Sequence, residues 1–125
     1  MELRHQPPAG GLQLVQSYGE GGFRISGRRH EGSVLIRPDV VDSWPVATMA
    51  ELSIPTLSPI LDVEAAIEIL IIGCGSVFAP APVTLREMLR AKGIGIETMD
   101  TGAACRTYNV LAGENRRVAA ALMAL

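Results

Sequence analysis

The alternation of apolar and polar residues predicts short β-strands in the first third of the chain. Leu12 and Leu14 fall on one face of a run with a period of two residues, and the glycines of residues 19–22 end this run. A glycine-containing turn over residues 26–29 separates two further runs and predicts a β-hairpin. The strands predicted from this pattern are 12–18, 23–25, 33–37 and 40–46.

Longer apolar segments alternate with helical patterns in the second half of the chain. Aliphatic runs predict strands at 65–72 and 94–99, both buried. Helices are predicted at 82–92, at 102–111 and, in an alanine-rich segment, at 115–123. The apolar stripe of the first of these helices comprises Val83, Leu85, Met88 and Leu89. Since this order is typical of a parallel pair of strands with a helical crossover, we predict an α/β fold around a mixed sheet.

The composition predicts one domain with an aliphatic core. The length of 125 residues is close to the commonest domain size, and 48% of the residues are hydrophobic but only 4% aromatic. We expect residues 1–11, which end in prolines and glycines, to form a flexible lead, and residues 12–125 to form the domain.

Charge and hydropathy narrow the range of partners and locations. The net charge of −2 argues against nucleic acid, because nucleic-acid binding needs clustered Lys and Arg. Residues 1–10 contain no apolar leader, and aliphatic runs such as Ile69–Ile72 are far shorter than the ~18 residues of a membrane span. We therefore predict a cytoplasmic protein without direct membrane insertion. Homo-oligomers through the last helix or an exposed hairpin edge are left open.

Cysteines and histidines are too few and too scattered to suggest catalysis. Cys74 and Cys105 form no disulfide framework. A catalytic thiol usually needs a neighbouring base, whereas His5 and His30 lie in the lead and the predicted hairpin. We expect both thiols to be buried and inert rather than a redox pair, and we predict no metal site, no cofactor and no catalytic residue.

Two loops occupy the positions where α/β proteins bind ligands. These are Gly73–Ser76 and Asp100–Gly102, which follow the two predicted parallel strands at their carboxyl ends. Each loop precedes a helix whose first N–H groups can bind an anion, and Thr101 is placed to cap the second helix. The predicted ligand-binding residues are Gly73, Cys74, Gly75, Ser76, Asp100, Thr101 and Arg106.

Each of these features also has a purely structural explanation. The Gly-Cys-Gly-Ser segment lacks a complete dinucleotide-binding or P-loop motif, and glycines after a buried strand commonly serve only to turn the chain. Arg106 either binds a carboxylate or phosphate with its planar fork or donates to carbonyl groups at strand ends. Arg116 and Arg117, which oppose the dipole at the start of the last predicted helix, either bind an acidic partner or are solvated.

The segment Met99–Leu111 is the most distinctive sequence in the chain, and Glu114 and residues 116–122 continue its pattern. Matching segments precede it at Tyr18-Gly19, 22–25, 32–35, Trp44, 71–75 and 93–97. Over about residues 12–124 the chain resembles a family of small Mth-type domains of unknown biochemistry. That family includes mitochondrial complex I assembly factor three and the adipogenesis-associated Mth-type domain proteins.

The resemblance implies a three-layer fold around a mixed sheet of about five strands, which agrees with the hairpin and C-terminal helices predicted from the pattern. It also implies a non-enzymatic role, because the mitochondrial member binds another assembly factor and complex I subunits without a known catalytic step. Many members carry a longer polar loop where this chain has the apolar segment Ser76–Pro80, which weakens the case for an ionic ligand there.

Two functional hypotheses follow. The first is a bacterial binding or assembly-factor-like module with a protein partner, which assists the assembly of a respiratory or another membrane complex. The alternative is a small anionic-ligand-binding protein or enzyme that uses the Gly73–Ser76 and Asp100–Arg106 loops.

Overall fold

A five-stranded mixed sheet and a three-stranded antiparallel sheet organise the computed structural model, which describes residues 12–62 and 67–125. The strands are β1 (Val15–Gly19), β2 (Gly22–Ile25), β3 (Arg28–Glu31), β4 (Ser33–Arg37), β5 (Val40–Trp44), β6 (Ile69–Gly73), β7 (Gly95–Met99) and β8 (Val118–Leu122). The helices are α1 (Ser58–Leu61), α2 (Val83–Ala91) and α3 (Thr101–Gly113), with 3-10 turns at Met49–Glu51 and Pro55–Leu57. The predicted lead, residues 1–11, lies outside the described residues, as do the first two residues of the strand predicted at 65–72.

The small sheet is a meander of β1, β2 and β3. Ser26 and Gly27 have φ values of 50° and 83°, a conformation that closes a tight two-residue hairpin turn. Because the turn is complete at Gly27, Arg28 and Arg29 already belong to β3. The hairpin is thus confirmed, but β2 pairs with Arg28–Glu31 and not with the predicted 33–37 strand.

The large sheet has the strand order β5-β4-β8-β6-β7. β6 lies parallel to both β7 and β8, whereas β4 is antiparallel to β5 and β8. The mixed α/β sheet of five strands is therefore confirmed. The two aliphatic strands β6 and β7 are direct neighbours, and their carboxyl ends lie at one edge.

The helix predicted at 115–123 is wrong, because Val118–Leu122 is the central strand β8. All five of its residues are buried, and Ala119, Ala120 and Ala121 are completely inaccessible to solvent. Alanine has the highest intrinsic helix propensity, but tertiary packing overrides that preference here. Oligomer formation through a last helix is excluded together with the helix, since this segment lies inside the sheet.

Helices and the small sheet cover the two faces of the large sheet and give the three-layer arrangement. One face, which includes Leu70 and Ile72 of β6, packs against Leu85 and Leu89 of α2 and against the segment that contains α1. The other face packs against α3 and the small sheet, and its buried cluster comprises Val15, Phe23, Ile25, Val34, Ile36, Ile71, Ala104, Cys105, Tyr108, Ala112, Val118, Ala120 and Leu122.

Two predicted burial patterns differ from the structure. In α2, Val83 and Met88 are 57% and 50% exposed, so the buried stripe is narrower than the spacing predicts. β7 is an edge strand, in which Gly95 and Glu97 are exposed, and it is not the buried strand expected from its isoleucines.

We predict that Ala120→Leu lowers the free energy of unfolding by about 1–3 kcal/mol, because the added atoms have no space between β8 and α3. Ala91→Leu on the exposed face of α2 is the matched control and is expected to stay within about 0.5 kcal/mol of the wild type. Urea unfolding followed by circular dichroism measures both. Equal midpoints for the two variants contradict the tight packing of β8.

Candidate functional site

The three parallel strands β6, β7 and β8 end at one edge of the sheet, here called the carboxyl edge. Gly73 at the end of β6 lies opposite Met99 of β7 on one side and Leu122 of β8 on the other. The loops that follow β6 and β7 touch directly, since the Thr101 N–H donates to the Gly75 carbonyl over 2.9 Å. The structure therefore brings together the two loops that the sequence singled out.

Thr101 is the buried link between these loops. Its hydroxyl accepts a hydrogen bond from the Gly75 N–H (2.9 Å) and donates one to the Met123 carbonyl (2.8 Å). Thr101 is not the helix cap, because it is already the first residue of α3. The cap is Asp100, whose Oδ1 accepts from the Ala103 N–H over 3.0 Å.

Two glycines permit the close approach of α3 to the carboxyl edge. A Cβ atom at Gly73 would lie 3.0 Å from both the Ala104 Cβ and the Thr101 Cα. A Cβ atom at Gly102 would lie 2.6 Å from the Tyr18 hydroxyl oxygen. The first turn of α3 therefore lies so close to β6 and Tyr18 that a side chain at either position would require its neighbours to shift.

Cys74 organises the loop after β6. Its Sγ accepts from the Ala79 N–H (3.3 Å) and donates to the Val77 carbonyl (3.5 Å). Cys74 is half-buried, so the expectation of two fully buried thiols holds only for Cys105. The loop directs its apolar side chains outward: Val77 is 77% exposed and Phe78 59%.

Cys105 lies in the packed interface between α3 and the sheet. Burial raises the pKa of its thiol to about 12, and the nearby Arg106 guanidinium opposes this shift only in part. The thiol therefore stays protonated at neutral pH, a state in which it is a poor nucleophile.

Arg106 is exposed on the first turns of α3 and contacts a residue that the site prediction did not include. Its Nη1 donates to the Tyr18 hydroxyl over 3.4 Å, and Tyr18 is itself exposed. The guanidinium thus lies on the surface beside Gly102 and keeps most of its donors available to solvent or a ligand.

Several backbone donors of the two loops are already used within the chain. The N–H groups of Gly75, Thr101 and Ala103 all donate to protein acceptors. An anion at the start of α3 would therefore find the Thr101 and Ala103 N–H groups occupied and the side chains of Arg106 and Tyr18 exposed. Ser76 is exposed on the same loop, and ligand binding by these residues stays a prediction.

Tyr108 and Asn109, two polar residues of the distinctive segment, attach the small sheet to α3. The buried Tyr108 hydroxyl donates to the Gln13 carbonyl over 2.9 Å, and burial raises its pKa. The Asn109 side chain accepts from the Val15 N–H (2.9 Å) and donates to the Val15 carbonyl (2.8 Å), as a neighbouring strand would. These residues are structural.

Arg116 and Arg117 share one carboxylate. Arg116 Nε lies 2.7 Å and Arg117 Nη2 3.3 Å from the oxygens of Glu68, and the hydrogen bond from Arg116 is the main reason that the pKa of Glu68 is lowered. The predicted conflict with a helix dipole does not arise, because no helix begins here. Binding of an acidic partner by these arginines stays a prediction.

Across residues 12–62 and 67–125, no three His, Cys, Asp or Glu side chains are grouped closely enough to hold a metal ion. None of the helices in these ranges is both long and apolar enough to cross a membrane.

Sequence reasoning missed Tyr18, Val77 and Phe78 as surface residues of this edge. The available signal was the pair of large apolar residues between Ser76 and Pro80, in a loop that is expected to be polar. Tyr18 carried no local signal, because its contact with α3 joins residues 88 positions apart.

Comparisons with known proteins agree with the resemblance seen in the sequence. A family described as "Protein of unknown function (DUF498/DUF598)" matches residues 15–123. NADH dehydrogenase (ubiquinone) 1 alpha subcomplex assembly factor 3 of Danio rerio is 33% identical over 118 residues, which cover 94% of this chain and 68% of that protein. The chain spans between 59% and 68% of the length of the vertebrate assembly factors that it matches.

Solved structures match over nearly the whole chain. The Rpa2829 protein of Rhodopseudomonas palustris is 42% identical with a TM-score of 0.80, and the match covers 100% of this chain and 90% of that one. A Bordetella pertussis protein described as a Mth938-like domain is 29% identical with a TM-score of 0.80, over 98% of this chain and 92% of its own.

We predict that Thr101→Val lowers the free energy of unfolding by about 1–3 kcal/mol, because it leaves the Gly75 N–H and the Met123 carbonyl without their partner. Thr101→Ser keeps the hydroxyl and is expected to lose less. Thr84→Val on the exposed face of α2 is the control. Chemical denaturation compares the three variants, and a Thr101→Val protein as stable as the control argues against the linking role of this hydroxyl.

Proposed function

We propose that this chain, which belongs to the family of proteins of unknown function DUF498/DUF598, is a non-enzymatic binding module that acts in the manner of an assembly factor. Relatives named as assembly factors of NADH dehydrogenase support this proposal. The proposed partner is a protein of a respiratory or another membrane complex during its assembly. The proposed location is the cytoplasm of a bacterium.

The observation that carries the proposal is the exposed apolar loop after β6. Val77 and Phe78 project into solvent from a loop whose backbone is held by the Cys74 thiol. Ala81, which is buried, anchors the far end of the loop in the core. A large apolar side chain held in a fixed exposed position is typical of a protein–protein contact.

Other exposed apolar side chains lie at the same edge. We call the set the apolar rim, and it consists of Tyr18, Val77, Phe78, Val83 and Leu125. Tyr18 lies against Gly102 at the start of α3, Val83 begins α2, and Leu125 follows β8, so topology brings all five side chains to the carboxyl edge. Arg106 adds a cation beside the rim, and aromatic residues with arginine are the residue types enriched at interface centres.

Burial of the Phe78 ring against a partner is expected to contribute about 2 kcal/mol, which corresponds to roughly thirtyfold in affinity. We predict that Phe78→Ser weakens partner binding by about this factor. Native extract of the source cell is passed over the immobilised wild type and variants, and the recovered proteins are quantified. Stability is expected to change little, because Phe78 is exposed.

Val110→Ser is the matched control. Val110 is also 59% exposed, but it lies near the other end of α3, away from the carboxyl edge. Wild type and Val110→Ser should retain the same partner. Failure of the wild type to recover any reproducible protein, or equal recovery by Phe78→Ser and Val110→Ser, contradicts the proposal.

Binding of a small anionic ligand is a second candidate function. It is favoured by one observation, the exposed Arg106 guanidinium, which contacts the Tyr18 hydroxyl above the first turn of α3. Both groups donate hydrogen bonds, and a guanidinium matches a phosphate or carboxylate in geometry. Of the predicted loop residues Gly73–Ser76 and Asp100–Arg106, the exposed ones available to such a ligand are Ser76, Asp100 and Arg106.

We predict for this candidate that phosphate raises the melting temperature of the wild type and that Arg106→Ala removes the increase. Lys92→Ala, which removes an exposed cation beyond the end of α2, serves as the control and should keep the increase. Thermal unfolding in sodium phosphate and in sodium chloride of equal ionic strength separates binding from screening. An increase that persists in Arg106→Ala rules out this site.

A further inference from the structure

We infer that the open edge of β7 binds an extended segment of a protein partner as an added strand, with a basic side chain opposite Glu97. The inference rests on the proposed function in that the chain binds protein. It specifies the form and the charge of the bound segment and a surface separate from the apolar rim.

The orientation of the peptide groups in β7 leaves a free hydrogen-bonding edge. The Gly95 N–H donates to the Glu68 carbonyl, and the Met99 carbonyl accepts from the Cys74 N–H, so both residues direct their peptide groups toward β6. Because successive residues of a strand alternate, the peptide groups of Ile96 and Thr98 point away from β6. In the described sheet β7 has no strand on that side.

The edge is accessible along the first half of the strand. Gly95 and Glu97 are exposed and Ile96 is half-buried. An open cleft of about 460 Å³ lies beside it and is lined by Arg90, Gly93, Ile94, Gly95, Ile96 and Glu97. A strand added here therefore has space for its side chains.

The opposite edge of the large sheet is less suited to strand addition. Prolines flank β5 on both sides, at positions 38 and 45, and proline lacks the N–H that a ladder needs. The Pro38 carbonyl already accepts from the Gln13 N–H. β7 has no proline in its own sequence or beside it. Glu97 is the one charged residue of this strand that can disfavour pairing with unsuitable strands.

The negative charge of Glu97 indicates which kind of strand would pair with β7. The Glu97 carboxylate forms no ion pair within the described residues. In a pairing of two copies of β7 centred on Glu97, the two carboxylates would lie directly opposite each other, and like charges in that position are destabilising. A different chain with Lys or Arg at that position makes a favourable pair instead.

The test uses two synthetic eight-residue peptides with blocked ends, one of alternating Val and Lys and one of alternating Val and Glu. Amide hydrogen exchange of the protein is followed by NMR as each peptide is added. We expect the Lys peptide to slow exchange at Ile96 and Thr98, whereas Glu97 and Met99, already paired with β6, change little. The Lys peptide should bind about two- to fivefold more tightly than the Glu peptide.

Two variants test the contacts. Glu97→Lys should reverse the preference between the peptides, whereas Glu20→Lys, an equal charge change on an exposed turn of the small sheet, should keep it. Thr98→Pro removes only an outward N–H and should weaken binding, with unchanged exchange at Glu97 as evidence that β7 still pairs with β6.

Exchange at Ile96 and Thr98 that neither peptide slows overturns the inference. So does a preference that Glu97→Lys leaves unchanged, or undiminished binding by Thr98→Pro. None of these readouts involves Phe78. Failure at β7 is therefore distinguishable from failure of the apolar rim to bind a partner.

Discussion

The structure depends on one central strand, β8, whose three middle residues are alanines. β8 joins the first half of the chain, through β4, to the second half, through β6. Its alanines are buried on both faces, with α3 packed on one face and the cluster that includes α2 on the other. Large side chains in place of these three alanines would force the layers apart, because protein interiors are closely packed. The alanines of β8 therefore let the layers on both sides pack close to the middle of this strand.

The same close packing fixes the carboxyl edge. Gly73 and Gly102 let the first turn of α3 approach β6 and Tyr18, and the Thr101 hydroxyl then connects the loop after β6 to the residue that follows β8. The Thr101 and Ala103 N–H groups, two of those that an open helix start would offer to a ligand, donate to the Gly75 carbonyl and to the Asp100 side chain. The side chains exposed at this edge include the apolar Phe78 and the cationic Arg106.

Sequence patterns predicted the elements whose secondary structure follows from their own residues. The apolar run that stops at Pro38 identified β4, and the distinctive segment that begins at Met99 identified α3 and the family. β8 could not be predicted locally, because alanine favours a helix and only the neighbouring β4 and β6 make it a strand. The edge position of β7 depends likewise on strand order, which its isoleucines do not encode. Of the site, the meeting of the two loops was predictable from parallel pairing, whereas the contact of Tyr18 with Arg106 depends on the distant meander.

Several polar side chains at the surface have partners within the chain, whereas the apolar side chain of Phe78 stays mostly exposed. Arg116 and Arg117 are paired with Glu68, and Asn109 completes the pairing of Val15, so internal contacts account for them. Phe78 is less well explained by internal contacts, since it is still 59% exposed in the folded chain. Yet the loop that carries it is held by the Cys74 thiol at one end and by a buried alanine at the other. An ordered loop that keeps a large apolar side chain in solvent lowers the entropy cost of burying that side chain against another protein, which is the property a binding module needs.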